Sequence, residues 1–202
     1  MPSIMTHAAV PLALWCAADR GRIPPRLLAA GVIAAMLPDA DVLAFALHIP
    51  YADAFGHRGA SHSLLFASLL AALAAVLAFF GSGRPWSAVS CQPRLAPAKA
   101  GPTVASTVQA AVFVFVCVAS HPLLDAMTSG GLGVALAWPW SEQRFFAPWR
   151  PIRVSPFAPQ FFSARGLATL LSELRWVWLP LAGAVVAWKL IQPAPAAPRD
   201  PS

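Results

Sequence analysis

Long apolar runs alternate with short polar segments along most of the chain. Three runs reach or approach the roughly 20 apolar residues needed to cross a bilayer; these are Leu64–Phe80, Val104–Ala119 and Leu174–Ile191. Two shorter runs, His7–Ala18 and Leu27–Leu37, indicate helices that are embedded in the membrane or packed against the spans. The pattern predicts an all-α integral membrane protein with about three to five membrane-embedded helices.

Proline, glycine and serine mark the breaks between these runs. Residues 81–102 predict a loop, and the four prolines of Pro148–Pro159 predict an extended segment, since proline removes backbone donors. Residues 192–202 hold little apolar surface and predict a disordered Pro-rich tail. We therefore expect one membrane-embedded domain over residues 1–191, followed by this tail.

Composition supports the membrane assignment and excludes other classes. The chain is 58% hydrophobic and 11% charged, which is far more apolar than a soluble domain requires. Its net charge of +6 is scattered among short loops, so we expect a lipid bilayer as its surroundings and no nucleic acid partner. Met1–Thr6 holds no basic residue and predicts no cleaved leader, and the three cysteines show no metal-binding spacing.

The polar residues gather where the predicted helices begin and end. If His7–Ala18 pairs with Leu27–Leu37, and Leu64–Phe80 pairs with Val104–Ala119, the two hairpins present their polar ends on one side. The side chains expected to converge there, at one face of the membrane, are His7, Asp39, Asp41, His57, His62, His121 and Asp125.

The spacing of these residues suits metal binding. His121 and Asp125 are four apart, which places both on one helix face, with Ser120 as a cap and Pro122 in the first turn. Asp39 and Asp41 follow Pro38 in a turn, where one carboxylate can ligate while the other orients a histidine or only ends the helix.

The segment "GHRGASHS" (56–63) predicts a loop that ends where Ser61 caps the next helix. This leaves His62 in the first turn and His57 on the loop. Arg58 offers a planar fork suited to a phosphate or carboxylate, or it is an arginine that reaches to the membrane interface. Glu173, before the last span, is interpreted as a carboxylate at a helix start rather than as a general base.

Histidine and aspartate are costly at membrane depth and usually face a cavity with partners. Together the histidines and carboxylates suit one or two divalent ions, of which zinc is the expected one. Such ions lower the pKa of bound water and polarise a phosphoryl oxygen.

Four motifs, in this order, resemble the YdjM-like inner-membrane proteins, a family described as metal-dependent hydrolases. They are "MTHAAV" (5–10), "LPDADVL" (37–43), "HRGASHSLL" (57–65) and "SHPLLDAMTSGG" (120–131). The resemblance implies a multi-pass protein of the inner membrane. It also implies metal-binding roles for His7, Asp39, Asp41, His62, His121 and Asp125, and catalytic roles for His57 and Arg58.

A more distant similarity is to the zinc-dependent phospholipase C and single-strand nuclease group. His7, an Asp of "LPDAD", His62, and His121 with Asp125 follow the order of its ligands. The chain lacks the later His-x-x-x-Asp of that group and its mature N-terminal tryptophan, so a full three-zinc site is not expected.

Two hypotheses of function follow. The first is a membrane-bound metal-dependent hydrolase that acts on a phosphodiester or lipid head group, a small-molecule or lipid substrate, through metal-activated water. The alternative is a non-catalytic metal-binding membrane protein or a transporter whose His/Asp cluster lies on an ion path.

The basic residues also predict orientation. The side opposite the motifs holds six, Arg20, Arg22, Arg26, Arg84, Arg94 and Lys99, and the motif side holds five, Arg58, Arg144, Arg150, Arg153 and Arg165. Basic loops close to span ends mark the cytoplasm, whereas the basic residues of a longer collar count less. We predict that the cluster faces the outer side.

Fusions to a reporter enzyme that is active only outside the cytoplasm test this orientation. The reporter should be active when it is fused after Gly131 and inactive when it is fused within residues 84–99, and the reverse pattern would place the cluster on the cytoplasmic side.

Overall fold

The computed structural model describes residues 1–19, 21–81, 103–156 and 160–192, and every regular element in these ranges is helical. The elements are α1 (Ala9–Ala17), α2 (Pro25–Met36), α3 (Leu43–Ala46), α4 (Leu64–Gly81), α5 (Val104–Ala126), α6 (Ala164–Glu173) and α7 (Leu179–Ile191). A 3-10 turn, Ile4–Ala8, leads into α1, and another, Leu37–Val42, joins α2 to α3. The predicted all-α membrane fold is confirmed.

Four continuous helical stretches are long and apolar enough to cross a membrane. They are Pro25–Ala46, Leu64–Gly81, Val104–Ala126 and Ala164–Ile191. The last of these includes a π-helical turn, Leu174–Trp178, between α6 and α7. The predictions for most of the 81–102 loop and for the 192–202 tail lie outside the described residues.

The core lies where α2, α4 and α5 meet. Ala35, Ala67 and Cys117 are fully buried there, against Phe113 and neighbouring residues of α5. Small residues allow this contact, because a Cβ atom on Gly31 would collide with the Phe113 ring. On the outer faces, Leu69, Leu73 and Leu77 are more than half exposed, as lipid-facing side chains should be.

Helix α7 packs beside α1. At one end Lys189 Nζ donates to the carbonyl of Ala18, 3.0 Å away. At the other end the Trp178 indole donates to Thr6 Oγ1 over 3.2 Å. The short helix and its 3-10 turn are therefore held against the last span along their length.

Two segments without long helices, residues 47–63 and 127–156, cover the end of the bundle at which the four sequence motifs lie, and we call them the cap. Residues 148–156 form no helix, as the prolines predict, and residues 157–159 of that predicted segment lie outside the described ranges. Thr128 and Ile152 form a bridge, and Ser129 N donates to Ile152 O over 2.9 Å. A second bridge joins Val134 to Phe145. These backbone bonds hold the longer segment of the cap, residues 127–156, together over the end of the bundle.

Two predicted helix boundaries are wrong. Helix α4 is capped by Ser63, whose Oγ accepts from Phe66 N, and not by Ser61. Helix α5 continues through Pro122 to Ala126 without a break, and Ser120 Oγ donates to Cys117 O instead of capping a new helix. His121 and Asp125 nevertheless lie one turn apart, as the spacing predicts.

Candidate metal centre

Five side chains from four parts of the chain meet at the covered end of the bundle. His7 comes from the 3-10 turn before α1, Asp39 from the turn after α2, and His62 from the turn before α4. His121 and Asp125 come from the last turns of α5. Each element therefore contributes at its end, which is where a membrane helix places polar groups at least cost.

All five side chains are buried. His7, His62, His121 and Asp125 are 0% exposed, and Asp39 is 4% exposed. Asp39, His62, His121 and Asp125 each offer one ligand atom, and these atoms lie within 4.8 Å of one another. This group could hold a metal ion.

Three of the distances between the donor atoms are close to those of a coordination shell. His62 Nε2 lies 3.0 Å from His121 Nε2 and 3.3 Å from Asp125 Oδ2, and His121 Nε2 lies 3.4 Å from Asp39 Oδ1. Ligands at zinc bond lengths of about 2.0–2.1 Å in a tetrahedron are roughly 3.3 Å apart. His7 Nε2 stands slightly farther out, 3.6 Å from Asp39 Oδ2 and 3.8 Å from Asp125 Oδ1.

Hydrogen bonds on the far side of the rings determine which nitrogen carries the proton. His121 Nδ1 lies 2.7 Å from the carbonyl of Ala35, which can only accept, so Nδ1 is protonated. His62 Nδ1 lies 3.1 Å from Asp41 Oδ2 and is a donor for the same reason. In the neutral rings, both Nε2 lone pairs then point at each other across 3.0 Å, an arrangement that a cation between them would stabilise.

The centre also contains buried polar atoms without a hydrogen-bond partner. They are both carboxylate oxygens of Asp39 and both ring nitrogens of His7, whereas Asp125 Oδ2 and Arg58 Nε have each other as an ion-pair partner at 3.0 Å. Leaving such a group unsatisfied costs about 1–3 kcal/mol, and more when it is charged. A bound cation would compensate this cost, so the residues present fit a metal ion.

Asp41 lies outside the inner group and joins several of its supports. Its carboxylate is 2.5 Å from His57 Nδ1, and it accepts from Ser61 Oγ at 2.7 Å and from Arg58 N at 2.9 Å. It also contacts the Nδ1 of His62, as described above. Of the two carboxylates of "LPDAD", Asp39 thus faces the centre and Asp41 orients one of its histidines.

Arg58 is 1% exposed and has several partners. Its Nε lies 3.0 Å from Asp125 Oδ2, and its two Nη atoms donate to Gly130 O and Thr128 Oγ1, each over 3.0 Å. Gly131, at φ +89°, lies so close that a Cβ atom there would be 2.7 Å from Arg58 Nη1. The guanidinium is therefore locked against Asp125 and the 128–131 loop.

Glu173 has a role that the sequence interpretation missed. It ends α6 in the middle of the last span instead of starting a helix, and it is 1% exposed. Its carboxylate accepts from Ser3 N and Ser3 Oγ, both at 2.5 Å, and from Thr6 Oγ1 at 2.7 Å. These bonds fix the turn that carries His7. The hydroxyl groups of "PSIMTH" indicate that this turn needs a buried hydrogen-bond acceptor, and an acidic residue of a span could supply it. The sequence does not indicate which acidic residue does so.

The charges of the site favour a cation. Three carboxylates, Asp39, Asp41 and Asp125, lie at the site with one guanidinium, that of Arg58, so these side chains stay net negative whether His62 is neutral or protonated. Burial lowers the pKa of His7 well below its usual value. Burial also lowers the pKa of His62, but hydrogen bonds to Asp125 and Asp41 outweigh it and raise that pKa to about 9. A divalent cation competes with this proton for the same negative potential.

The remaining histidine lies elsewhere. His48 is exposed and sits at φ 57° in the cap. Among the described residues it is not part of the His/Asp group, as its lack of well-spaced partners indicated.

Comparisons with known proteins agree with the resemblance seen in the motifs. The family model described as YdjM inner membrane protein matches residues 1–196. The chain belongs to the YdjM inner membrane protein family. It is 44% identical over 181 residues to the inner membrane protein YbcI of Escherichia coli (strain K12), covering 89% of this chain and 92% of that protein. No solved structure matches. With four candidate spans, a multi-pass location in the inner membrane is confirmed.

The geometry of this YdjM-family site predicts which substitutions remove a metal. His121→Ala combined with Asp125→Ala should abolish stoichiometric binding of a divalent ion, because it removes two of the four closest donors. Metal content of the purified, folded protein, measured by mass spectrometry after dialysis against Zn²⁺, tests this. His48→Asn is the matched control, since asparagine tolerates its positive φ. Unchanged metal content in the double variant would show that these residues are not ligands.

Proposed function

We propose that this protein is a membrane-bound hydrolase of phosphodiesters, with a lipid head group as its substrate and a divalent ion, zinc by our assignment, as its cofactor. The observation that carries the proposal is the donor set. Histidine nitrogens and carboxylate oxygens are the ligands of catalytic zinc, whereas structural zinc sites rely on cysteine. We propose that the ligands are drawn from His7, Asp39, His62, His121 and Asp125, with one coordination position left to water, and that Asp41 is their outer support.

When a divalent ion is bound, it would lower the pKa of water at the site and polarise a phosphoryl oxygen of the substrate. His57 and Asp41, whose ring nitrogen and carboxylate oxygen lie 2.5 Å apart, would be the pair at the edge of the centre that can accept and hold a proton. Arg144 supports this pair from outside by donating to the carbonyl of His57 over 3.0 Å. Arg58 holds Asp125 in its orientation.

An apolar groove supports a lipid as the substrate. It has a volume of about 460 Å³, and its wall includes Asp41 and Ser61. The rest of the lining is mostly apolar and includes Leu65, Phe66 and Leu69 of α4. Because Leu69 is 59% exposed on the lipid-facing side of this span, the groove joins the bilayer to the outer support of the centre. An acyl chain lying there would bring its head group to the same end of the bundle.

A non-catalytic metal centre is the second candidate, and the burial of the ligands favours it. Four of the five assigned ligands are 0% exposed, as in a closed structural site. An ion path has less support: α4 has no charged or histidine residue, and on α5 such residues are confined to His121 and Asp125 near one end. In these described helices no chain of titratable groups crosses the membrane.

Substitution of Arg58 distinguishes two roles for this residue, orienting the ligand Asp125 and clamping a substrate anion. Arg58→Lys should lower the affinity for the divalent ion by about 10- to 100-fold, because loss of an outer partner disorients the ligand Asp125. Metal titration of the folded protein measures this, with Arg22→Lys as the control, since Arg22 pairs with Asp19 at the exposed opposite end. If Arg58 instead clamps a substrate anion, as its fork suggests, metal affinity will stay unchanged and KM alone will rise.

Hydrolysis itself is tested on the metal-loaded protein in nanodiscs. The wild type should cleave bis(p-nitrophenyl) phosphate or a phospholipid head group, and Asp125→Asn should lower kcat by at least about 100-fold, since it removes a proposed ligand. His48→Asn should keep full activity. A protein that binds its metal stoichiometrically and cleaves no phosphodiester, phospholipid or amide would contradict the hydrolase and support the non-catalytic centre.

A further inference from the structure

A second polar site lies in the cap, outside the His/Asp centre. It is a cavity of about 440 Å³ between the extended 150–154 segment, residue 129 and α6. Three arginines line it, Arg150 and Arg153 from the extended segment and Arg165 from the first turn of α6. Ser129 and Thr169 add hydroxyl groups to its wall.

Among the residues that the structure describes, these arginines have no acidic counterpart. Within the described ranges, the ion pairs of arginine with carboxylate are those of Arg22 and Arg58, and none involves the cavity. The first turn of α6 carries Arg165 and no acid, although the positive end of a helix dipole normally favours an anion. Three cations at one cavity repel one another, so an anion bound between them would relieve this repulsion.

The walls of the cavity are fixed by hydrogen bonds. On one side Ile152 exchanges backbone bonds with the 127–129 segment, of 3.3 Å from Ile152 N to Met127 O and 2.9 Å from Ser129 N to Ile152 O. On the other side Arg153 N donates to Ser172 Oγ over 3.0 Å, and Thr169 Oγ1 donates to Val154 O over 3.3 Å. The arginines are therefore presented by an ordered frame rather than by a free loop.

The cavity lies at head-group level. Arg165 stands at the start of the span Ala164–Ile191. Trp149, next to Arg150, is 56% exposed and packs edge-to-face on Trp176, with ring centroids 4.8 Å apart. Exposed tryptophans mark the membrane interface, where lipid phosphates lie.

We propose that this arginine cavity binds the phosphate of an anionic phospholipid. Guanidinium groups match phosphate oxygens with paired hydrogen bonds, and three of them balance a charged phosphate, with no carboxylate among the described residues that line the cavity. The site stands apart from the proposed hydrolysis, because it requires neither the metal nor the reaction. It adjoins the metal centre all the same, since Thr128 and Gly130, on either side of Ser129, are both bonded to Arg58.

The test is a binding titration in neutral detergent on the full chain. Short-chain phosphatidylglycerol is titrated into the wild type, into Arg153→Gln/Arg165→Gln and into the control Arg22→Gln/Arg26→Gln, which removes the same charge at the opposite end. The cavity variant should bind about tenfold more weakly, because charge-assisted hydrogen bonds are lost. The control should bind as the wild type does, and thermal unfolding should show that all three are folded.

The other outcomes overturn either the cavity as the binding site or the phospholipid as its ligand. Equal weakening in both variants would mean that net charge alone attracts the lipid, and no weakening in either would remove the cavity as the site. Inorganic phosphate and glycerol phosphate form the second arm. If they bind as tightly as the short-chain lipid and compete with it, the site takes a free phosphate and the lipid assignment fails. The titration without added metal keeps this result separate from the outcome for the metal centre.

Discussion

The structure depends on the burial of two carboxylates, Asp39 and Asp125, among histidine side chains. In a bundle surrounded by lipid such groups are stable only if a positive charge meets them. Arg58 supplies part of that charge, and the Nε2 atoms of His62 and His121 lie where a proton or a metal cation would supply the rest. The surrounding hydrogen bonds to Ala35 and Asp41 serve to hold those nitrogens in place.

This constraint explains why so many helices end at one level. A polar cluster in the middle of the spans would expose several ionisable groups to hydrocarbon, whereas one at the helix ends can be covered by irregular backbone. The chain does this with the 3-10 turns around His7, Asp39 and His62 and with the cap. Glu173 lies deeper in the last span, where its carboxylate accepts hydrogen bonds from Ser3 and Thr6 and is therefore not left without partners.

Much of this arrangement follows from the sequence. Apolar runs and the residues between them predict the membrane fold and the common level of the polar ends, because hydropathy and helix length act locally. The i, i+4 spacing predicts that His121 and Asp125 share a face, whatever begins or ends the helix. The sequence does not reveal long-range pairing. It leaves open which Asp of "LPDAD" turns inward, and it suggests Arg58 as an open anion clamp where the structure buries it against Asp125.

The Glu173 contact shows the same limit more sharply. It joins residues 170 positions apart. It forms because α7 packs beside α1, and that arrangement depends on the packing of all the helices together. The boundary at Pro122 differs for a related reason. Proline removes one donor, but packing of α5 against α2 and α4 over its buried face outweighs that loss, so the helix continues.

The two charged regions of the cap have opposite signs and share one loop. The inner centre is negative and buried, and the arginine cavity is positive and faces the membrane interface. Thr128 and Gly130 bind Arg58 on the inner side, while Ser129 between them lines the outer cavity. Because Gly131 has no room for a side chain beside Arg58, this loop cannot shift far without disturbing Asp125. An anion at the outer cavity would therefore act on a backbone that also positions the inner carboxylate, which gives the two sites a physical connection through a single turn of chain.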